Sequence, residues 1–579
     1  MAAFLVGTSL VAGVALTTRK ANAKQPPPPP IMPLSEVRPG MEGYGLTVFE
    51  GLKPDKFKVK VISVLRDFLP KQAVILMRVL DPRVEHTGVA AGMSGSPIYI
   101  NDRLVGALAY GWAFSKEPLT GITPIEAMLE DSRQPLRDEP RPTAFAAATP
   151  KRFGDVDLVP VAVPLAFSGV SAATLDDVRD DFAKLGLLAV SAGGGGGLGQ
   201  GVPVIEPGGS VGVQLVKGDM AVTATGTVTY VDGNTVLAFG HPMMRSGQVN
   251  LPMVGAEIHA IMPSLANAFK LASPLAEVGA LLHDRGAAIV GVLGAKAPRL
   301  PLSINVKRQG QAMKPFIVQL AQNDSLTPLL VSVATSSAVT VAEPDPADMT
   351  IDMTTTLTVA GMPPIVLREQ LFSDAGLNPR VFSVGQGFKA LRQILDNPFG
   401  RVDLRGLRID ADVAYKRDAL DIVGVSIPAK RLRSGETVPV RVQLRPFGGK
   451  DRWKTVDLKL PPHIDGQTVE IEVASGAAVV PFAAKPESLK DLLQSFGNYY
   501  TAGQMVVSVG LPETGAALGG LPLGALPPAA IDTLLPASKT RNAQMHRLYS
   551  RTVIDSAEVL TGKVQVKMRV DGNGLGSNG

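Results

Sequence analysis

Short apolar runs of strand length recur along most of this 579-residue chain, separated by glycine, proline and Asn-Asp turns. Such runs occur at residues 57–65, 73–80 and 104–110, and residues 221–230 alternate strongly between apolar and polar side chains. A short apolar or alternating run between turn residues is typical of a β-strand. The 60 glycines and 47 prolines also favour many turns. We therefore predict a mainly β protein with a few short helices.

Helical patterns are few. Residues 171–185 are amphipathic and are followed by a glycine, and shorter helices are predicted over 264–271 and 388–395. Strand patterning otherwise continues to about residue 367. Strands at regular spacing over residues 406–512 predict a separate β-sandwich. Compositionally biased stretches at 131–152, 193–197 and 513–537 are typical of linkers.

The composition excludes several classes of function. The chain has no cysteine, which rules out disulfides, thiolate nucleophiles and cysteine-based zinc sites. Its six histidines show no metal-binding spacing, and the net charge of +5 is scattered among few aromatic residues. We therefore predict no metal or other cofactor and no nucleic-acid partner.

The N-terminal segment is predicted to direct export. Residues 2–17 are apolar and of signal-peptide length, and Ala21-Asn22-Ala23 resembles a cleavage site. The basic pair Arg19-Lys20 follows the apolar run instead of preceding it, so an uncleaved membrane anchor is the alternative. Five prolines at 26–30 predict a stiff spacer. The expected location is the periplasm, the cell envelope or the extracellular space.

The most specific motif is the octet Ala-Gly-Met-Ser-Gly-Ser-Pro-Ile at residues 91–98. A serine between glycines on a sharp turn presents its hydroxyl beside outward-facing backbone N–H groups. Ser94 is therefore a candidate nucleophile, and the N–H groups of Gly92 and Ser94 form a candidate oxyanion hole. A plain surface turn is the alternative interpretation of the same residues.

A serine nucleophile needs a base and, usually, a group that orients the base. His241 ends an alternating strand and enters a Gly-His-Pro turn, so it is the first candidate base; His86, in a polar loop nearer to Ser94, is the second. Asp81, at a strand end before a proline, is the candidate orienting acid. An exposed turn histidine and a turn-starting aspartate are the alternative interpretations.

Two segments resemble a known family. The stretch from Asp81-Pro82-Arg83 through Gly92-Met93-Ser94-Gly95-Ser96-Pro97-Ile98 to residues 104–107 resembles the catalytic end of the SpoIVB-type serine peptidases, family fifty-five of the chymotrypsin-like clan. Residues 207–241 resemble the family segment that contains the catalytic histidine. The resemblance implies Ser94 as nucleophile, His241 as base, Asp81 as orienting acid and a two-barrel chymotrypsin-like core.

The two segments stand in rearranged order, because in the family the histidine segment precedes the serine segment. Here His241 follows Ser94 by 147 positions. The resemblance implies an exported serine endopeptidase that hydrolyses protein or peptide substrates through an acyl-enzyme, including itself as a substrate. The alternative is an inactive peptidase-like scaffold or binding protein of the cell envelope.

The predicted domain organisation combines these observations. It consists of an export segment with its spacer (1–30), a serine-bearing barrel half (31–135), a linker with one helix and a glycine run (136–200), a histidine-bearing half (201–400), a β-sandwich (401–515), and a second linker with C-terminal strands (516–579).

Overall fold

The computed structural model describes residues 28–571, except for short internal gaps. The gaps are residues 70–71, 113–114, 135–150, 154–155, 193–200, 265, 343–347, 374–378, 384, 417, 430, 480–485, 487, 519–520, 524–528 and 530–543. The predicted export segment, the glycine run at 193–197 and most of the linker at 131–152 lie outside the described residues. No helix in the described part of the chain is long and apolar enough to cross a bilayer.

The first barrel is a closed ring of six strands. In chain order its elements are β1 (Glu42–Thr47), β2 (Asp55–Leu69), β3 (Gln72–Val79), α1 (Pro82–Thr87), β4 (Pro97–Ile100), β5 (Arg103–Trp112), β6 (Leu119–Pro124) and α2 (Ile125–Arg133). The strands pair in the order β4-β1-β2-β3-β6-β5, and β5 closes the ring on β4. Phe57, Val59 and Val61 are buried while the residues between them are exposed, as strand alternation requires.

A two-strand extension follows the first barrel. It is formed by β7 (Lys151–Phe153) and β8 (Val156–Pro160), and β8 pairs antiparallel with the end of β5. The chain then enters a second unit through β9 (Val163–Ser168), α3 (Ala172–Ala183) and β10 (Leu187–Ser191). The predicted helix over 171–185 is confirmed, and its N-terminus is capped by the Ser171 hydroxyl.

The second barrel is also a closed ring of six strands. These are β11 (Ser210–Gly218), β12 (Ala221–Asp232), β13 (Thr235–Ala238), β14 (Gly247–Met262), β15 (Phe269–Asp284) and β16 (Ile289–Leu293). They pair in the order β12-β13-β16-β15-β14-β11, and β11 closes on β12. The predicted mainly β fold with a two-barrel core is thereby confirmed. The helix predicted over 264–271 is wrong, because β15 begins at Phe269 and pairs with β14.

The sheet of the second barrel continues into an outer layer. Its elements are β17 (Arg299–Arg308), β18 (Gln311–Ala312), β19 (Phe316–Ala321), α4 (Leu326–Ala342), β20 (Met349–Val359), β21 (Ile365–Ser373), α5 (Pro379–Ser383), α6 (Gln386–Leu395) and β22 (Leu404–Ala414). The helix predicted over 388–395 is confirmed by α6. Strand pairing assigns β22 to this large sheet, beside β17 and β20.

Helix α4 replaces a segment that the sequence predicted as strand. It is rich in valine, serine and threonine and is apolar on nearly all sides, so helical periodicity is hidden. Three of its buried hydroxyls are satisfied inside the helix, because Ser332, Thr335 and Ser337 each donate to the carbonyl four residues earlier.

The last unit is a β-sandwich. Its elements are β23 (Ala419–Ser426), β24 (Thr437–Pro446), β25 (Arg452–Lys459), β26 (Thr468–Ser475), α7 (Leu489–Ser495), β27 (Gln504–Leu518), β28 (Leu521–Leu523), β29 (Gln544–Asp555), β30 (Val559–Thr561) and β31 (Lys563–Arg569). Two sheets bury one apolar core between them, which confirms the predicted sandwich. Strands β27 and β28 occupy part of the stretch at 513–537 that was predicted as a linker.

Candidate active site

The serine turn lies between α1 and β4 and is completely buried. Gly92 and Gly95 have φ values of +93° and +95°, in the region that favours glycine. A Cβ atom on Gly95 would lie only 1.9 Å from the carbonyl oxygen of Thr227. The turn therefore requires glycine at position 95 both for its conformation and for its contact with the second barrel.

Two backbone N–H groups in this turn have no partner among the described residues. The N–H of Met93 donates to Ala90, that of Gly95 to Leu108, and that of Ser96 to Met93. The N–H groups of Gly92 and Ser94 donate to none of the described residues. Buried N–H groups are rarely left unpaired, so the two groups predicted as an oxyanion hole stand out from their neighbours.

The serine turn is bound to β12 of the second barrel. The N–H of Thr227 donates to the carbonyl of Ser94 at 2.9 Å, and its hydroxyl donates to the carbonyl of Gly92, also at 2.9 Å. The Thr229 hydroxyl donates to the carbonyl of Gly95 at 2.7 Å. These three bonds connect positions more than 130 residues apart, and they hold the turn against the barrel that carries His241.

The His241 loop is bound in turn to the first barrel. The Thr123 hydroxyl donates to the carbonyl of Gly240 at 2.6 Å. A Cβ atom on Gly240 would lie 2.9 Å from that of Ala107 and 3.2 Å from that of Ala109, so this glycine packs directly on β5. The carbonyl of Leu108, which lies between these two alanines on β5, accepts a hydrogen bond from the N–H of Gly95. The serine turn and the histidine loop therefore meet on one segment of β5.

His241 is held in a defined tautomer. Its side chain is buried, and Nδ1 lies 2.7 Å from the carbonyl oxygen of Pro242. Because a carbonyl only accepts, Nδ1 carries the proton and Nε2 keeps its lone pair. Burial lowers the pKa of His241 to about 4, an effect that the carbonyls of Pro242 and Val161 oppose. The imidazole is therefore neutral at pH 7, with Nε2 free to accept a proton.

The reactive atoms themselves have no hydrogen-bond partner. Ser94 Oγ and His241 Nε2 are both buried and unpaired among the described residues, so they are not bonded to each other. Catalytic hydrogen bonds are often long before substrate binds, and unsatisfied buried groups are otherwise uncommon. The two unpaired atoms therefore indicate a site in which a bound ligand supplies the hydrogen-bond partners.

The Asp81 carboxylate forms no hydrogen bond with His241 in the described structure. The Asp81 carboxylate caps α1 by accepting the N–H of Arg83, and it also pairs with the Arg83 guanidinium at 3.0 Å. The hydrogen bonds of that guanidinium hold the pKa of Asp81 below its usual range. His86 lies exposed in the last turn of α1. The Nδ1 proton of His241, which an orienting acid would bind, is instead bound by the backbone carbonyl of Pro242.

Asp284 supports the histidine loop and was not predicted from the sequence. Its buried carboxylate accepts the N–H groups of Met243 at 2.7 Å, Met244 at 2.8 Å and Ser246 at 3.1 Å. Burial raises the pKa of Asp284, and these three donors oppose the shift. Its partner loop lies about 40 residues earlier in the chain, so nothing in the local sequence marks this role.

Lys270 lies against the serine turn and was also missed. A Cβ atom on Gly92 would contact the Lys270 side chain at 3.2 Å. The buried ammonium donates to the Thr47 hydroxyl at 2.7 Å and to the Thr227 hydroxyl at 3.3 Å. Burial lowers the pKa of Lys270 to about 7. The sequence placed this residue on a helix, which concealed its buried position on β15.

The fold and the site define a class: a two-barrel β protein with a serine turn and a histidine loop at the junction of the barrels. Residues 9–129 match the SpoIVB peptidase S55 family, which confirms the predicted resemblance for the serine-bearing segment. The matched residues include Ser94 and Asp81 but do not reach His241. No curated protein and no solved structure matches the chain.

Proposed function

We propose that this protein is an exported serine endopeptidase with Ser94 as its nucleophile and His241 as its general base. The observation that carries the proposal is the pair of unpaired N–H groups at Gly92 and Ser94, beside a buried and unpaired serine hydroxyl. An oxyanion hole needs donors that are fixed in place and not already used. Protein substrates are implied by the family match.

In the proposed reaction, Ser94 Oγ attacks a peptide carbonyl while His241 Nε2 takes its proton. The oxyanion that forms accepts hydrogen bonds from the N–H groups of Gly92 and Ser94. His241 then gives the proton to the leaving amine, and water hydrolyses the acyl-enzyme by the same route. The Nδ1 tautomer required for this sequence is supported by the bond to the Pro242 carbonyl.

The role of Asp81 as orienting acid stays a prediction. Its ion pair with Arg83 supports a structural role, in which it fixes the start of α1. Export rests on the apolar segment at 2–17 and the small residues at 21–23.

The alternative function, an inactive peptidase-like scaffold, is favoured by one observation. Ser94 is 0% exposed, so no substrate reaches it without a rearrangement. The two functions differ in whether Ser94 becomes reactive in solution.

Labelling with a fluorophosphonate, together with hydrolysis of an unfolded protein substrate, tests the proposal. Wild type is expected to label and to hydrolyse, while Ser94→Ala and His241→Ala lose about four orders of magnitude in rate. Ser508→Ala is the matched control, because Ser508 Oγ is also buried and unpaired among the described residues but lies on β27 of the sandwich. Labelling of Ser94→Ala at the wild-type rate would contradict the proposal.

A further inference from the structure

A segment of the chain itself runs through the candidate site. We call residues 156–162 the connector; they comprise β8 and the two residues that lead into β9. The connector pairs antiparallel with the end of β5, with Pro160 opposite Tyr110 and Val159 opposite Gly111. The pairing is continued by the N–H of Val161, which donates to the carbonyl of Ala109 at 2.9 Å.

This pairing places the connector beside both candidate catalytic groups. Leu108 binds Gly95 of the serine turn, and the adjacent Ala109 binds Val161. The Val161 carbonyl lies close enough to His241 to raise its pKa, although it forms no hydrogen bond of normal geometry with Nε2. The connector, the serine turn and the histidine loop therefore all contact the same segment of β5, residues 107–109.

Two residues of the connector, Val161 and Pro160, suit an extended peptide bound in a groove. Val161 is 8% exposed and packs in the same apolar cluster as Met93, and its Cγ2 lies 3.6 Å from where a Cβ of Gly111 would be. Because the N–H of the next residue, Val161, donates to Ala109, strand alternation turns the nitrogen of Pro160 away from β5, where the ladder needs no N–H. An extended strand added to a sheet edge, with alternate side chains in pockets, is a common mode of peptide recognition.

The connector is nevertheless not positioned for nucleophilic attack by Ser94 on its backbone. The N–H groups of Gly92 and Ser94 remain unpaired, so the Val161 carbonyl does not occupy the candidate oxyanion hole. This arrangement blocks the groove without presenting a peptide bond to Ser94.

We propose that the end of β5, residues 109–112, is a groove for extended peptides, and that the connector fills it as an internal competitor. The groove takes a small aliphatic side chain at the position of Val161 and tolerates proline before it. A protein substrate of this kind must displace the connector before it reaches Ser94. This inference rests on the proposed function for the reaction, but the occupancy of the groove does not depend on it.

A reversible cross-link tests the proposal. The chain has no cysteine, so the double variant Gly111→Cys/Val159→Cys introduces a single pair. Directly opposed residues of a hydrogen-bonded pair lie about 5.5 Å apart at Cα, within the range that a disulfide spans. Thr354→Cys/Arg368→Cys, an opposed pair on β20 and β21, is the matched control.

Two readouts separate occupancy from catalysis. The first is the rate of fluorophosphonate labelling of Ser94. The second uses the same variants with Ser94→Ala added, and measures how tightly they bind a fluorescent peptide with the sequence of residues 156–162. Oxidation is expected to lower both at least about tenfold, and reduction is expected to restore them, because accessibility follows the fraction of open groove. Val161→Asp, which puts a carboxylate in an apolar cluster, is expected to raise both above wild type.

Each outcome decides the question. If the cross-link does not form, or forms without changing either readout, the proposal is overturned. Equal peptide binding by wild type and by a folded Val161→Asp variant also overturns it. If peptide binding follows the redox state while no variant labels, the connector does fill the groove and the proposed peptidase function fails instead.

Discussion

At the scale of single residues, Lys270 is the most unusual group beside the site. Lys270 is fully buried and has no acidic partner among the described residues, so its charged form is unfavourable and its pKa falls to about 7. Its two recorded hydrogen-bond partners are hydroxyls, and Thr227 connects it to the carbonyl of Gly92. Lys270 is therefore a positioning residue for the serine turn.

Lys270→Met is expected to change how stability depends on pH. In the unfolded chain the lysine keeps its proton up to pH 10.5, whereas in the folded protein it loses it near pH 7. The unfolded state thus binds more protons between these values, and wild-type stability rises with pH there, by about 1.4 kcal/mol per pH unit from this group. The methionine variant lacks this contribution.

Denaturant unfolding of both proteins at pH 7.5, 8.5 and 9.5 measures the effect. The contributions of the other titrating groups cancel in the difference in free energy of unfolding between wild type and variant. This difference, wild type minus variant, should therefore increase with pH because of Lys270 alone. Parallel pH profiles would contradict the lowered pKa, because they would show that folded Lys270 keeps its proton over this pH range as the unfolded chain does.

At the scale of elements, the loop between β13 and β14 depends on an anchor from β15. Asp284 binds three N–H groups of this loop, and the loop carries His241 two residues before the first of them. Hydrogen bonds to a charged acceptor contribute about 1.5–3 kcal/mol each. The position of the candidate base is therefore set from a strand remote in sequence.

Asp284→Ala is expected to slow fluorophosphonate labelling at least about tenfold, because the loop loses all three acceptor contacts. Asp284→Asn keeps one acceptor oxygen and should give an intermediate rate. Labelling rates and melting temperatures of the three proteins check the order. A wild-type labelling rate in a folded Asp284→Ala protein would mean that the loop holds His241 without this anchor.

At the scale of the whole molecule, the sandwich is joined to the main core by a short apolar insertion. Leu492, Leu493 and Phe496 extend from the sandwich into the large core cluster, which also contains Phe388 and Leu391 of α6. Tyr499 stacks on Phe496 with ring centroids 5.9 Å apart. This contact couples the unfolding of two units that otherwise have separate apolar cores.

Phe496→Ala is expected to destabilise the protein by about 3–5 kcal/mol and to separate the unfolding of the sandwich from that of the barrels. Calorimetry should show one transition in wild type and two in the variant. Trp453→Ala, at a position 48% exposed on the sandwich, is the control and should leave the single transition in place. A single, unshifted transition in Phe496→Ala would contradict the coupling.

The sequence by itself determined the strand-rich fold, the sandwich and the serine turn, because alternation and turn residues are local signals. The glycines around Ser94 indicate a backbone conformation with positive φ, which only glycine adopts readily. Local signals failed for α4, where apolar residues on nearly all sides hide the helical period, and at 264–271, where pairing with β14 imposes a strand.

Only the tertiary structure decided what surrounds the serine turn. The pairing of Thr227 with Ser94, the burial of Lys270, the anchoring role of Asp284 and the passage of the connector along β5 all join residues distant in the chain. Such contacts depend on how two closed barrels pack. The physical reason is that a turn's conformation is set by its own few residues, whereas the charge, burial and partners of its atoms are set by the other barrel.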